Sequence, residues 1–191
     1  MSADQPSTRT RLMRAAMVLV AEDGFSAATT AAIARKAGLA EGTLYRHFDS
    51  KDALFVAVYS HIKQTLFETV KAGTDASGSV ETRFRRFWRG IWNAYSADPV
   101  AFAYGQRFSE YPLSRVDSGQ VHEGLITHTA ALIRDGQAAG QVKPVPDTVL
   151  RAFLFSPLVT MLKQGAQGRR WSEAEIDAAI DAAWDSWRIQ D

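Results

Sequence analysis

Apolar residues along this 191-residue chain recur every three to four positions, and no stretch alternates with period two. The pattern predicts an all-α chain. A first helix covers about Thr8 to Glu22, with Leu12, Ala16, Leu19 and Val20 on one face and Gly24 where a C-terminus wants a left-handed residue. Two short helices follow, about Thr30–Ala37 and Glu41–His47. Ser50 suits the N-cap of a long fourth helix, about Lys51–Lys71, striped by Leu54, Phe55, Val58, Ile62 and Leu66. Small polar residues over 72–79 read as a connection. A fifth helix, about Val80–Ser96, sets Phe84, Phe87, Trp88, Ile91, Trp92 and Tyr95 at i, i+3, i+4 spacing. Asp98 and Pro99 open a short sixth helix. Capping boxes at Ser114–Asp117 and Ser172–Glu175 predict the starts of the seventh and ninth helices. The eighth, about Thr148–Gln164, contains Pro157, which should kink it.

Composition narrows the class of molecule. With 46% hydrophobic and 23% charged residues the chain has the balance of a globular protein rather than a disordered one. It has no cysteine, which excludes a disulfide framework, cysteine-ligated zinc and thiol catalysis. The polar N-terminus lacks the apolar core of a signal peptide, and no apolar run is long enough to span a bilayer. The expected address is the cytoplasm, without a membrane partner. Net charge is +1 and decides little, although the first 51 residues carry seven basic side chains against five acidic ones.

The most informative stretch is TTAAIARKAGLAEGTLYRHFDSK, Thr29 to Lys51. A helix-turn-helix joins two short helices at a steep angle, and its sequence demands are specific. Ala34 must be small where the second helix crosses, and Gly38 takes a turn conformation that a side chain resists. Ile33, Ala37, Leu39 and Leu44 fall where the pair buries against the first helix. The continuation GTLYRHF, followed by a capped Lys51, places a hydroxyl, a phenol, an imidazole and an ammonium at successive helix ends. Such groups contact phosphates and base edges, and a core has little use for them there.

The stretch IARKAGLAEGTLYRHFDSKDALF resembles the DNA-binding signature of the TetR family of bacterial regulators, with Thr29, Ile33, Ala34, Ala37, Gly38, Gly42, Leu44, Tyr45, Phe48 and Lys51 in place. About nine helices and a length near 190 agree with that family. Ala40 departs from its pattern, since serine or threonine often caps the recognition helix there. The resemblance implies an N-terminal three-helix DNA-binding domain, residues 1–50, followed by a larger helical domain, residues 51–191, that binds an effector and dimerises. It implies double-stranded DNA, a pseudo-palindromic operator, as partner, with the chain at the nucleoid when bound. The implied DNA contacts are Thr29, Thr30, Glu41, Gly42, Thr43, Tyr45, Arg46, His47 and Lys51, with Arg9 and Arg11 reaching from an N-terminal arm.

For the larger domain, Phe84, Trp88, Trp92, Tyr95, Phe102, Tyr104 and Phe108 are candidates to line a pocket for a small apolar or aromatic effector, the alternative being that they are core. Candidates for a homodimer interface are Leu154, Leu158, Met161, Ile176, Ile180, Trp184 and Trp187, with alanines at 179 and 183 permitting close approach. Glu173, Asp177, Asp181 and Asp185 share one face and read as solvated or paired with arginines of a partner subunit. Nothing favours an enzyme. His47, His61, His122 and His128 lack metal-ligand spacing, and no phosphate loop or nucleophile elbow occurs, so neither metal nor cofactor is expected. Two other readings stand beside the effector-controlled repressor. One is a DNA-binding regulator without an effector; the other is a helical small-molecule-binding protein or enzyme whose helix pair is only structural.

Overall fold

Side chains that accept from the first free backbone N–H groups set most of the helix starts. The computed structural model describes residues 6–74, 78–112 and 123–190, and among these the only regular structure is helical. Ser7 caps α1 (Thr8–Asp23) and Thr29 caps α2 (Thr30–Ala37). Ser50 accepts from the Ala53 N–H at 3.0 Å to start α3 (Lys51–Thr74), and Ser79 from Thr82 at 3.1 Å to start α4 (Val80–Ala97). Asp98 caps α5 (Pro99–Ser109), with Pro99 in the first turn, where its missing N–H costs nothing. α6 (Glu123–Ala138) and α7 (Asp147–Ala166) follow. Ser172 and Glu175 close a reciprocal capping box on α8 (Glu173–Trp187).

One element differs from the sequence expectation. The Glu41–Arg46 segment is a 3-10 helix. Ala40 offers no side-chain cap, and the segment is held by tight bonds three residues apart, Thr43 N–H to the Ala40 carbonyl at 2.9 Å at its start and His47 N–H to the Leu44 carbonyl at 3.0 Å at its end. α7 spans Asp147–Ala166 with Pro157 inside it, close to the expected bounds. The Ser114–Asp117 capping box lies outside the described residues.

The chain forms two compact units that do not follow its order. The first joins residues 1–64 to residues 98–121, so α5 belongs with α1, α2 and the start of α3. The second joins residues 65–97 to residues 122–191. No described helix is long and apolar enough to cross a membrane.

In the second unit α4 supplies the core. Phe84 packs edge-on to Trp187, with ring centroids 4.8 Å apart, and lies 5.3 Å from Trp184. The fully buried Trp187 donates its indole N–H to the Leu150 carbonyl at 2.8 Å. Gly136 lets α6 meet the following loop, since a Cβ there would lie 2.4 Å from Val142 Cγ2. Arginines of α4 zip the outside of this core to the acidic face of α8. Arg89 pairs with Glu173 at 2.7 Å and with Asp177, and Arg85 reaches Asp181 at 2.5 Å. The partners of these acids are therefore within the same chain. Arg85 is held above the usual guanidinium range, first by its hydrogen bond to Asp181 and then by that to Glu81.

Candidate nucleic-acid interface

The helix pair is fixed by packing inside and by polar ties outside. Ile33, Ala34, Ala37, Leu44 and Phe48 are buried, with Leu39 half-buried. Gly38 ends α2 at φ +67° and ψ +40°, a conformation that costs any other residue about 1–2 kcal/mol. The Thr30 hydroxyl donates to a Glu41 carboxylate oxygen at 2.8 Å, which ties the start of α2 to the start of the 3-10 helix. The Arg11 guanidinium donates to the Ala37 carbonyl at 2.6 Å and to that of Gly38 at 3.3 Å, meeting carbonyls that α2 leaves open.

Arg11 is thus a cap across the helix pair and not a free arm. Arg9 is also drawn onto the fold, with its guanidinium 4.9 Å from the Phe48 ring centroid and a bond to Met13 Sδ at 3.2 Å. The Arg9–Phe48 and Arg11–Ala37 contacts join residues far apart in sequence, so local patterning does not show them.

The 3-10 helix presents an exposed ridge. Glu41, Gly42, Tyr45, Arg46 and His47 face solvent, and Tyr45 is 58% exposed, the most of any large apolar residue described. Thr43 and Lys51 are half-buried. Nothing lies within 4 Å of a Cβ built on Gly42, and its φ is not positive, so the fold itself does not require glycine there. Lys51 opens α3 with its ammonium 5.7 Å from the Phe55 ring centroid, beside a helix N-terminus whose dipole favours anions. Thr29 and Thr30 stand at the N-terminus of α2, the former as its cap. Hydroxyl, phenol, imidazole, guanidinium and ammonium groups gathered on two helix ends, the phenol, imidazole and guanidinium of them exposed, are suited to phosphates and base edges.

The structure distributes the aromatic candidates over both units. Phe84, Trp88 and Trp92 are buried and Tyr95 half-buried in the second unit, whereas Phe102, Tyr104 and Phe108 are buried in the first. Tyr104 donates its hydroxyl to the Phe55 carbonyl at 2.8 Å, and burial pushes its ionisation well above the ordinary range. Trp88, fully buried, has an indole N–H without an acceptor among the described residues.

The seven dimer candidates, Leu154, Leu158, Met161, Ile176, Ile180, Trp184 and Trp187, are all buried within the chain itself. Their stripe faces inward, so the surface left to α7 and α8 is another one. It is a groove of about 490 Å³ lined by Ala152, Phe153, Ser156, Pro157, Ala179 and Ala182, among others. Phe153 is 55% exposed, and Val149, one turn earlier, is exposed as well. Among the described residues no cluster of His, Asp and Glu side chains gathers as metal ligands.

Comparison with known proteins agrees with this architecture over both units. Residues 12–58 match the family of bacterial regulatory proteins, tetR family, and residues 79–188 match the tetracyclin repressor-like C-terminal domain. The HTH-type transcriptional regulator UidR of Escherichia coli is 27% identical over 172 residues, covering 83% of this chain and 81% of that protein. The HTH-type transcriptional regulator SrpR of Pseudomonas putida is 24% identical over 193 residues, covering 96% and 86%. A crystal structure of a tetR family transcription regulator from Shewanella sp. PV-4 superposes with a TM-score of 0.86 at 26% identity, covering 97% of this chain and all of that one. The chain belongs to the TetR family and is a DNA-binding transcriptional regulator.

Proposed function

We propose that this regulator is a cytoplasmic repressor that binds a pseudo-palindromic operator as a homodimer and leaves it when a small apolar or aromatic effector binds. The observation that carries the DNA contacts is the ridge of Gly42, Tyr45, Arg46 and His47, which the fold exposes and does not use. Tyr45, Arg46 and His47, with Thr43 and Glu41, enter a major groove, and Gly42 lets the backbone approach. Thr29, Thr30 and Lys51 hold flanking phosphates through hydroxyl, amide and ammonium groups. Residues 1–50 act as the DNA-binding domain and residues 51–191 as the regulatory and dimerising one. A relative named HTH-type transcriptional repressor KstR2, from Rhodococcus jostii, is 34% identical over 93 residues, 47% of this chain and 46% of that protein, and supports repression.

A second copy of this chain fills the groove between α7 and α8. Alanines at 152, 179 and 182 allow two such helix pairs to approach closely, and Phe153 and Val149 supply exposed apolar area. Two heads then meet successive half-sites about 34–36 Å apart, or a multiple of that. The effector acts by binding the free and DNA-bound states unequally.

The test of the DNA reading is operator affinity as a function of salt, on a duplex selected from a random pool by the wild-type chain. About three cationic contacts per subunit give a loss on the order of a thousandfold between 50 and 200 mM salt. Lys51→Ala should make the slope shallower by about one per subunit. A slope left unchanged removes Lys51 from the contacts. A regulator without an effector is the competing reading, and a thermal-shift screen of metabolites that raises no melting temperature would favour it.

A further inference from the structure

We propose that Tyr111 is a positioning residue for DNA binding: it holds the first turn of α3, and with it Lys51, in the place that operator contact requires. This rests on the reading of Lys51 as a phosphate contact.

The argument begins with α5, which follows α4 after the single residue Asp98 yet shares a compact unit with the DNA-binding helices. Its N-terminal end is tied to α1 by Arg14 and Asp98 at 3.2 Å. Towards its C-terminal end, Arg107 donates to the Glu22 carbonyl at 3.3 Å, near the close of α1. Just beyond α5, the Tyr111 hydroxyl donates to Asp52 Oδ1 at 3.0 Å. Asp52 adjoins Lys51. The Tyr111 ring stacks on Phe25 at 4.1 Å, and Phe25 in turn meets Phe55 edge-on at 5.0 Å. Phe55 is the ring over which the Lys51 ammonium lies, and its carbonyl accepts from Tyr104 of α5. Two residues next to α3's phosphate-facing end, Asp52 and Phe55, are therefore both held by the α5 segment.

The chemistry suits a positioning role better than bulk stability. Phe25 and Tyr111 are half-buried, and the phenol–carboxylate bond is exposed, so its loss removes little core. Its geometric effect is larger, because Ser50, Lys51 and Asp52 form the single turn that caps α3 and presents the ammonium. A carboxylate without the phenol donor is free to turn towards the Lys51 ammonium and compete with phosphate for it. Displacement of α5 would break the same bond, which makes operator affinity sensitive to where α5 sits.

The experiment is a double-mutant cycle between Tyr111→Phe and Lys51→Ala, read as affinity for the selected duplex, with melting temperatures recorded for each variant. Tyr111→Phe keeps the ring stack and removes the hydroxyl. The expected result is a loss of about tenfold in affinity in the wild-type background and less than twofold in the Lys51→Ala background. Asp52→Asn keeps an oxygen that accepts from the phenol and removes the competing charge, so alone it should not weaken binding, and added to Tyr111→Phe it should restore most of the loss. If Tyr111→Phe lowers affinity by the same factor with and without Lys51, or in neither background, the proposal is overturned. If Lys51→Ala alone leaves affinity and salt slope unchanged, the phosphate reading fails and the proposal falls with it, a result distinct from the first.

Discussion

The turn between α2 and the 3-10 helix and the groove between α7 and α8 are both built on small residues at helical spacing, but the small residues do opposite things. In the head Ala34 and Ala37 are buried inside their own crossing, and the polar groups proposed to contact DNA stand outside. In the last two helices Ala152, Ala179 and Ala182 line an open groove, while Leu154, Leu158, Ile180 and Trp187 are inside. In the head smallness marks a close approach, and in the groove it leaves room for one. In the head the partner is the same chain, and for the groove we propose a second copy. Bulk marks the opposite: a large indole in an amphipathic helix is first of all core.

The strongest test of that contrast sets Trp187→Ala against Phe153→Ser. Trp187 is fully buried and hydrogen-bonded, so its truncation should cost about 3–5 kcal/mol in urea denaturation. Phe153→Ser removes an exposed ring and should leave the subunit folded. For a dimer the unfolding midpoint rises with protein concentration, and Phe153→Ser should abolish that dependence while shifting sedimentation to the monomer. Equal destabilisation by both substitutions, or a Phe153→Ser chain that still sediments as a dimer, breaks the contrast.

Within the head the same contrast can be drawn between adjacent residues. Leu44 is fully buried and Tyr45 is 58% exposed. Leu44→Ala should cost about 2–4 kcal/mol of stability. Tyr45→Ala should change the unfolding free energy by less than about 0.5 kcal/mol. Operator affinity should nevertheless fall about tenfold or more, the scale of one lost base or phosphate contact. If Tyr45→Ala alters stability and not affinity, the ridge is not the DNA surface.

These pairs also show how much could be read before the structure. Caps and turns are local, so Ser50, Ser172 with Glu175 and Gly38 announced their roles within a few residues. The face of a helix that meets another is not local. α7 and α8 carry apolar or small residues on two stripes, and periodicity alone does not say which stripe the rest of the chain covers. The Arg11 cap and the Tyr111–Asp52 bond join residues 26 and 59 positions apart, and no spacing rule anticipates either. The acidic ladder of α8 was legible as a face, but its arginine partners on α4 come from nearly a hundred positions earlier.

The smallest effect concerns α3, the helix whose residues enter both units. Lys63 lies half-buried with its ammonium 5.3 Å from the Tyr59 ring centroid, and desolvation lowers its ionisation from 10.5 to about 8. Between those two values the unfolded chain holds more protons than the folded one, so stability should rise with pH from about 8 towards 10. Above that the sign reverses. Burial raises Tyr59 to about 12 and Tyr104 higher still, so the folded state then keeps protons that the unfolded state has lost. Lys63→Gln should flatten the rise between pH 8 and 10 and add about 1–2 kcal/mol at pH 7, where the wild-type cation is desolvated. Urea midpoints measured across that range decide it. An unchanged slope in Lys63→Gln would place the titration elsewhere, and a loss of stability at pH 7 would mean that the aromatic face more than offsets the desolvation.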